Sequence, residues 1–151
     1  MTSAVDHRLP RKVHSSDAQD SPPKLPVVLC IDDDPNIQSA IELRLNRYEV
    51  EVQHAYYGMQ GIWESVRGNP ALIILDIAMP NGDGRYVLRC LRSNKNTAHV
   101  PIIVLTGMRD PQLMRDIMLA GADEYLRKPI SSDELIHQIG RFIMLQKKPE
   151  A

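Results

Sequence analysis

Four short stretches put chemically capable side chains at the ends of apolar runs: IDDDP (31–35), LDIAMPNGDG (75–84), VLTG (104–107) and EYLRKP (124–129). They supply Asp32, Asp33 and Asp34, then Asp76, then Thr106, then Tyr125 and Lys128. One acid at the end of an apolar run is an ordinary solvated strand end, and that reading suits Asp34. Several acids brought together are different, because they repel and one would hold a proton. A hard divalent cation removes the repulsion: Mg2+ takes oxygen ligands, uses one or two carboxylates and keeps several waters. Such a site suits an incoming phosphoryl group, whose oxygens complete the metal shell. A carboxylate is a competent nucleophile in phosphoryl transfer, giving an aspartyl phosphate. Asp76 stands alone at the end of its run and is the candidate acceptor. The Lys128 ammonium can neutralise a phosphoryl oxygen, and the Thr106 hydroxyl can donate to another.

The elements that must position these groups can be read from hydrophobic period. Val27 to Ile31 reads as a buried strand, and Pro35 opens a helix with Ile37, Ile41 and Leu45 on one face. EVEVQ alternates like a short strand, and GMQGIWESVRG places Met59, Ile62, Trp63 and Val66 at helical spacing. ALIIL, 71–75, is continuously apolar, as a strand covered on both faces would be. MPNGDG then turns the chain, with Gly82 and Gly84 permitting the angles required. RYVLRCLRSN offers Val87, Leu88 and Leu91 as a helix face. VPIIVLT is a strand, DPQLMRDIMLAG a helix stopped by Gly121, and DEYLRKP a strand ended by Pro129. A capping box from Ser131 to Glu134 opens the last helix, which presents Leu135, Ile139, Phe142 and Ile143 inward. Trp63, Met114 and Met118 read as core or rim packing. Five strand–helix units in alternation predict an α/β fold, a doubly wound parallel sheet covered on both faces. Ligands of such sheets sit outside the carboxyl ends of the strands, where the acids, the hydroxyl and the ammonium all fall.

The chain has 151 residues, 43% hydrophobic and 25% charged, which suits one soluble domain. A formal net charge of −1 gives no electrostatic argument for nucleic acid or a membrane surface. No apolar stretch is long enough to span a bilayer, and the amino terminus lacks the apolar core of a signal peptide. Cys30 and Cys90 lie among apolar residues and read as free thiols of a cytoplasmic protein. Residues 1–25 are polar and aperiodic and read as a disordered arm; 26–146 form the domain and 147–151 a short tail. His7, His14, His54, His99 and His137 show no metal spacing.

The four stretches, in order and on the expected strand ends, resemble the receiver domain of two-component response regulators, over residues 26–146. AGADEYLRKP extends the likeness around Lys128. The resemblance implies a flavodoxin-like receiver fold with five parallel strands in the order 2-1-3-4-5. It implies that Asp32 and Asp33 hold Mg2+, Asp33 directly and Asp32 largely through water. Asp76 is then both the phosphorylated residue and a metal ligand, and Ala78 offers its backbone carbonyl to the metal. Thr106 and Lys128 resemble the switch hydroxyl and the phosphate-pairing lysine, and Tyr125 the switch aromatic that turns inward with Thr106. Ala78 and Met108 flank the route of water to the phosphoryl group; neither can hold an attacking water strongly, so self-dephosphorylation is expected to be slow to moderate.

The function so implied is that of a phosphoacceptor in a two-component or phosphorelay system. A sensor histidine kinase or histidine phosphotransfer protein phosphorylates Asp76, and a downstream protein reads the change on the last helix–strand–helix face, near Arg115, Tyr125, Arg127 and the 132–145 helix. The chain would be no enzyme beyond catalysing its own phosphorylation and dephosphorylation, and phosphorylation could drive dimerisation. Because only QKKPEA follows the last helix, a stand-alone receiver similar to the chemotaxis regulator is expected, with no nucleic-acid or membrane partner. The alternatives are a relay intermediate passing phosphate to a histidine phosphotransfer protein, and a phosphatase resembling the haloacid dehalogenase group, for which Asp32 and Asp34 would be the Asp-x-Asp pair. The phosphatase lacks a later acidic metal pair and a cap domain. A flavin site of similar topology would need a glycine or hydroxyl cluster after the first strand, and there is none.

Overall fold

The structure is a computed structural model that describes residues 23–80 and 84–150. The arm expected at 1–25 therefore lies almost wholly outside the described residues, as does the turn glycine Gly82.

Five strands, β1 (Val27–Ile31), β2 (Glu51–Ala55), β3 (Leu72–Leu75), β4 (Ile102–Thr106) and β5 (Glu124–Arg127), alternate with five helices. The helices are α1 (Pro35–Leu45), α2 (Gly58–Gly68), α3 (Gly84–Ser93), α4 (Pro111–Leu119) and α5 (Ser132–Gly140). All strand pairs are parallel, in the order β2-β1-β3-β4-β5. Every residue of β1, β3 and β4 is buried, which is why these runs show no polar alternation in the sequence. The period of two survives in space. Leu29, Ile31, Ile73, Leu75, Ile102 and Val104 enter one core with α3 and α4. Val28, Cys30, Leu72, Ile74, Ile103 and Leu105 enter the other, with α1 and α5. Two packed cores grip the central strands from both sides and so fix where their carboxyl ends stand.

Three expectations need correction. EVEVQ marks the strand two residues early: β2 begins at Glu51, where it pairs with Val27 of β1, and runs to Ala55. Helix α2 turns Gly58, Gly61 and Ser65 inward, leaving Met59 and Trp63 each 64% exposed. The cause is close approach. A Cβ on Gly61 would stand 2.6 Å from Cδ1 of Ile31, so the small residues must face the sheet and the large ones are turned out. Helix α5 stops at Gly140 rather than near 145. Beyond it the chain folds back, with an antiparallel bridge between Tyr48 and Lys147. Glu49 N donates to Gln146 O, and Lys148 N to Arg47 O, both at 2.8 Å. Phe142, Ile143 and Leu145 thus pack on the α1–α5 core from a turn, not a helix face.

Gly84 opens α3 without a positive φ, but two other local signals hold. Ser131 accepts from Glu134 N as the cap of α5, and Gly121 adopts φ +113 after α4, a backbone region that glycine enters freely. Cys30 and Cys90 are free, and burial pushes the Cys30 thiol far up. Among the described residues no helix is long and apolar enough to cross a membrane.

Candidate functional site

The carboxyl ends of β1, β3, β4 and β5 deliver their polar residues to one edge of the sheet. Asp32, directly after β1, is 4% exposed, and Asp76, directly after β3, is 6% exposed. The β1–β3 register, with Ile31 beside Leu75, sets these two acids side by side. Asp33, one residue further, faces solvent. One oxygen from each of Asp32, Asp33 and Asp76 lies within 4.8 Å of the others.

Lys128 arrives from the end of β5 and bridges the two buried acids. Its Nζ donates to Asp32 Oδ2 at 2.7 Å and to Asp76 Oδ2 at 3.2 Å. The remaining oxygens are used by local backbone: Asp34 N donates to Asp32 Oδ1 at 2.9 Å and Ala78 N to Asp76 Oδ1 at 3.0 Å. Burial raises Asp32 above the ordinary carboxylate value against the opposing pull of Lys128. Burial would lower Lys128, but the hydrogen bond to Asp32 and the charges of Asp76 and Asp32 outweigh it and hold it above its usual value. Three carboxylates against one ammonium leave the cluster electron-rich. An all-oxygen donor set of this kind fits Mg2+ and does not fit a soft metal.

Thr106 ends β4, is fully buried, and its hydroxyl accepts a long bond of 3.4 Å from Met108 N. Its carbonyl accepts from Lys128 N at 2.8 Å, which ties the hydroxyl's strand to the lysine. Tyr125 is 8% exposed and lies inward, its hydroxyl donating to Met108 O at 2.8 Å. Burial raises its phenol above the ordinary value, with smaller contributions from the charges of Asp110 and Asp76 and an opposing one from Arg127. Gly107 leaves room beside Thr106, since a Cβ there would meet nothing within 4 Å. Ala78 and Met108 both line an open groove of about 540 Å³ between the β3–α3 and β4–α4 segments.

Asp34 is not merely a solvated strand end. It caps α1, accepting from Asn36 N at 2.8 Å ahead of Pro35. That employment also separates it from Asp32 as a catalytic pair. The residue that the sequence reading missed is Gln38, 1% exposed, whose side chain donates to the backbone carbonyls of Cys30 and Asp32. A signal existed, since Gln38, Ile41 and Leu45 share one helical face and all three are buried.

Comparison with known proteins identifies the family and agrees with the fold. The family model described as the response regulator receiver domain matches residues 28–140. The DNA-binding dual master transcriptional regulator RpaA of Synechocystis is 35% identical over 115 residues, 76% of this chain and 48% of that protein. Response regulator ArlR of Staphylococcus saprophyticus is 32% identical over 123 residues, covering 82% of this chain and 54% of that one. The chain thus spans about half the length of these relatives. Among solved structures, the receiver domain of the Francisella response regulator 1452 superposes with a TM-score of 0.70 at 30% identity, covering 78% of this chain and 95% of that one.

Proposed function

The chain belongs to the response regulator receiver family, and from that premise we propose that it is an Mg2+-dependent phosphoacceptor whose acceptor is Asp76. The observation that carries the proposal is the Lys128 ammonium bridging Asp32 and Asp76, with Asp33 completing the acidic cluster.

Asp32, Asp33 and Asp76 would hold the metal, with the Ala78 carbonyl beside them; once bound it would neutralise the carboxylates and draw in phosphoryl oxygens. The chain's own residues do the rest. An Asp76 carboxylate oxygen attacks the phosphorus of a phosphohistidine on a histidine kinase or phosphotransfer protein. The P–N bond breaks, and its electron pair stays with the departing imidazole. Lys128 exchanges a carboxylate partner for a phosphoryl oxygen, and the Thr106 hydroxyl donates to another. Phosphorylation then biases an existing equilibrium. Thr106 is joined to Tyr125 through Met108, so a change at the phosphoryl group is felt on the α4–β5–α5 face, where Arg115 and Arg127 are exposed. A protein partner on that face is the proposed readout, in the cytoplasm, with the chain catalysing only its own phosphorylation and dephosphorylation. The Synechocystis relative is by name DNA-binding, so nucleic acid stays among the outputs of proteins built on this domain, and a net charge of −1 does not exclude it.

Intact mass after incubation with acetyl phosphate, with and without Mg2+, tests the proposal on wild type and Asp76→Ala. The expected result is a phosphate-sized gain that needs Mg2+ and is absent in the variant. A gain that persists in Asp76→Ala would move the nucleophile to another acid and overturn the assignment.

A further inference from the structure

We propose that Gln38 is a positioning residue for the metal-holding acids, and that His54 and Glu42 keep its carboxamide oriented; the inference rests on the Mg2+-dependent reading above. Gln38 sits on the inner face of α1 with Ile41 and Leu45, where an unpaired carboxamide would be costly. It is fully employed. Its Nε2 lies 2.9 Å from Cys30 O, 3.1 Å from Asp32 O and 3.0 Å from Ala55 O. Two protons serve three acceptors, so one of them is shared. Ala55 O also accepts from Asp32 N at 3.0 Å. One side chain therefore grips the end of β1, the end of β2 and the carbonyl that links Asp32 to Asp33.

The orientation of the amide is settled by its partners. Three carbonyls identify the nitrogen end, so Oε1 faces His54 and accepts from its Nδ1. The other ring nitrogen, Nε2, lies 2.9 Å from Glu42 Oε2. The ring of Tyr56 lies 6.3 Å, centroid to centroid, from that of His54, and Cys30 is the register partner of His54 in β1. A relay thus runs from Glu42 at the surface through His54 and Gln38 to the backbone of Asp32, without touching a metal-holding carboxylate. Partners that orient a metal-holding group commonly change metal affinity by about 10–100-fold.

The test is calorimetric Mg2+ titration of wild type, Gln38→Leu and His54→Leu. Amide hydrogen exchange at Asp32 and Asp34 in the metal-free chain gives a second readout. Gln38→Leu is expected to weaken Mg2+ about tenfold and to speed exchange at Asp32 and Asp34 while leaving β4 protected. His54→Leu, which removes only the orienting bond, is expected to move both readouts the same way by less. Should Gln38→Leu fail to fold, His54→Leu decides alone. Wild-type Mg2+ affinity and exchange in the folded variants would overturn the inference and leave the Mg2+ reading standing. No Mg2+ binding by the wild type would overturn both.

Discussion

The β1–α1 loop, which carries Asp32 and Asp33, and the β4–α4 loop, which follows Thr106, begin their helices in the same way. Each ends in an aspartate cap followed by proline: Asp34 accepts from Asn36 N ahead of Pro35, and Asp110 from Gln112 N ahead of Pro111. Their support differs. The first loop is held by the Asp32–Asp34 turn, the Asp32 N bond to Ala55 O, and the three bonds from Gln38. The second has the long Met108 contact to Thr106, the Tyr125 hydroxyl and open space at Gly107, and its residues 107–110 are all exposed. Identical capping chemistry therefore serves two purposes. On the proposed function, the loop that gathers charge before a ligand arrives is the one tied from several sides, and the loop that would carry the response has fewer ties.

The harshest way to break this contrast is to dislodge the β3–α3 segment that carries Asp76. A Cβ on Gly84 would stand 2.2 Å from Ile77 Cα and 2.6 Å from Asp76 O, both backbone atoms that cannot swing away. Gly84→Ala is expected to cost ~3 kcal/mol in urea unfolding and to abolish the phosphate-sized mass gain. Retention of both wild-type stability and phosphorylation would show that the Asp76 backbone is freer than its packing implies.

The paired caps sharpen the contrast directly. Asp34→Ala and Asp110→Ala should each lose about 1 kcal/mol in the same assay. Only Asp34→Ala should also weaken Mg2+, because of the two loops only that one carries acids proposed to hold the metal. Equal Mg2+ affinities in the two variants would remove the distinction between the loops.

The smallest effects are expected at high pH. Lys128 and Tyr125 both titrate above their ordinary values when folded. Their contribution to stability is therefore complete below the unfolded values, which lie near pH ~10, and is lost as pH rises through the folded ones. The wild-type unfolding midpoint should fall over that range, and Tyr125→Phe should flatten the tyrosine part of the fall. Ultraviolet titration should find Tyr125 among the late-ionising tyrosines, together with Tyr86, which its hydrogen bond with Cys90 also raises. A pH-independent midpoint would mean that neither group is coupled to folding.

The residues themselves determined the alternation of strand and helix, the candidate acids at the strand ends, and the family. Buried runs such as Leu72 to Leu75 are local signals, and the right-handed βαβ crossover sends every parallel strand's carboxyl end to the same edge. The caps at Ser131 and Asp110 and the stop at Gly121 are equally local. Other features arose only when distant segments met. The register of β1 against β3 put Asp32 beside Asp76, and β5 then brought Lys128 to both. Helix α2 was turned over because Gly61 packs against Ile31, a contact between helix and strand that no helical period encodes. Helix α5 ended early because the backbone of 146–148 found partners at 47–49. Gln38 reads as one polar residue in a helix until β1 and β2 present three carbonyls to it. Period and turn chemistry act over a few residues, whereas close approach and hydrogen-bond pairing depend on which surfaces the whole fold presses together.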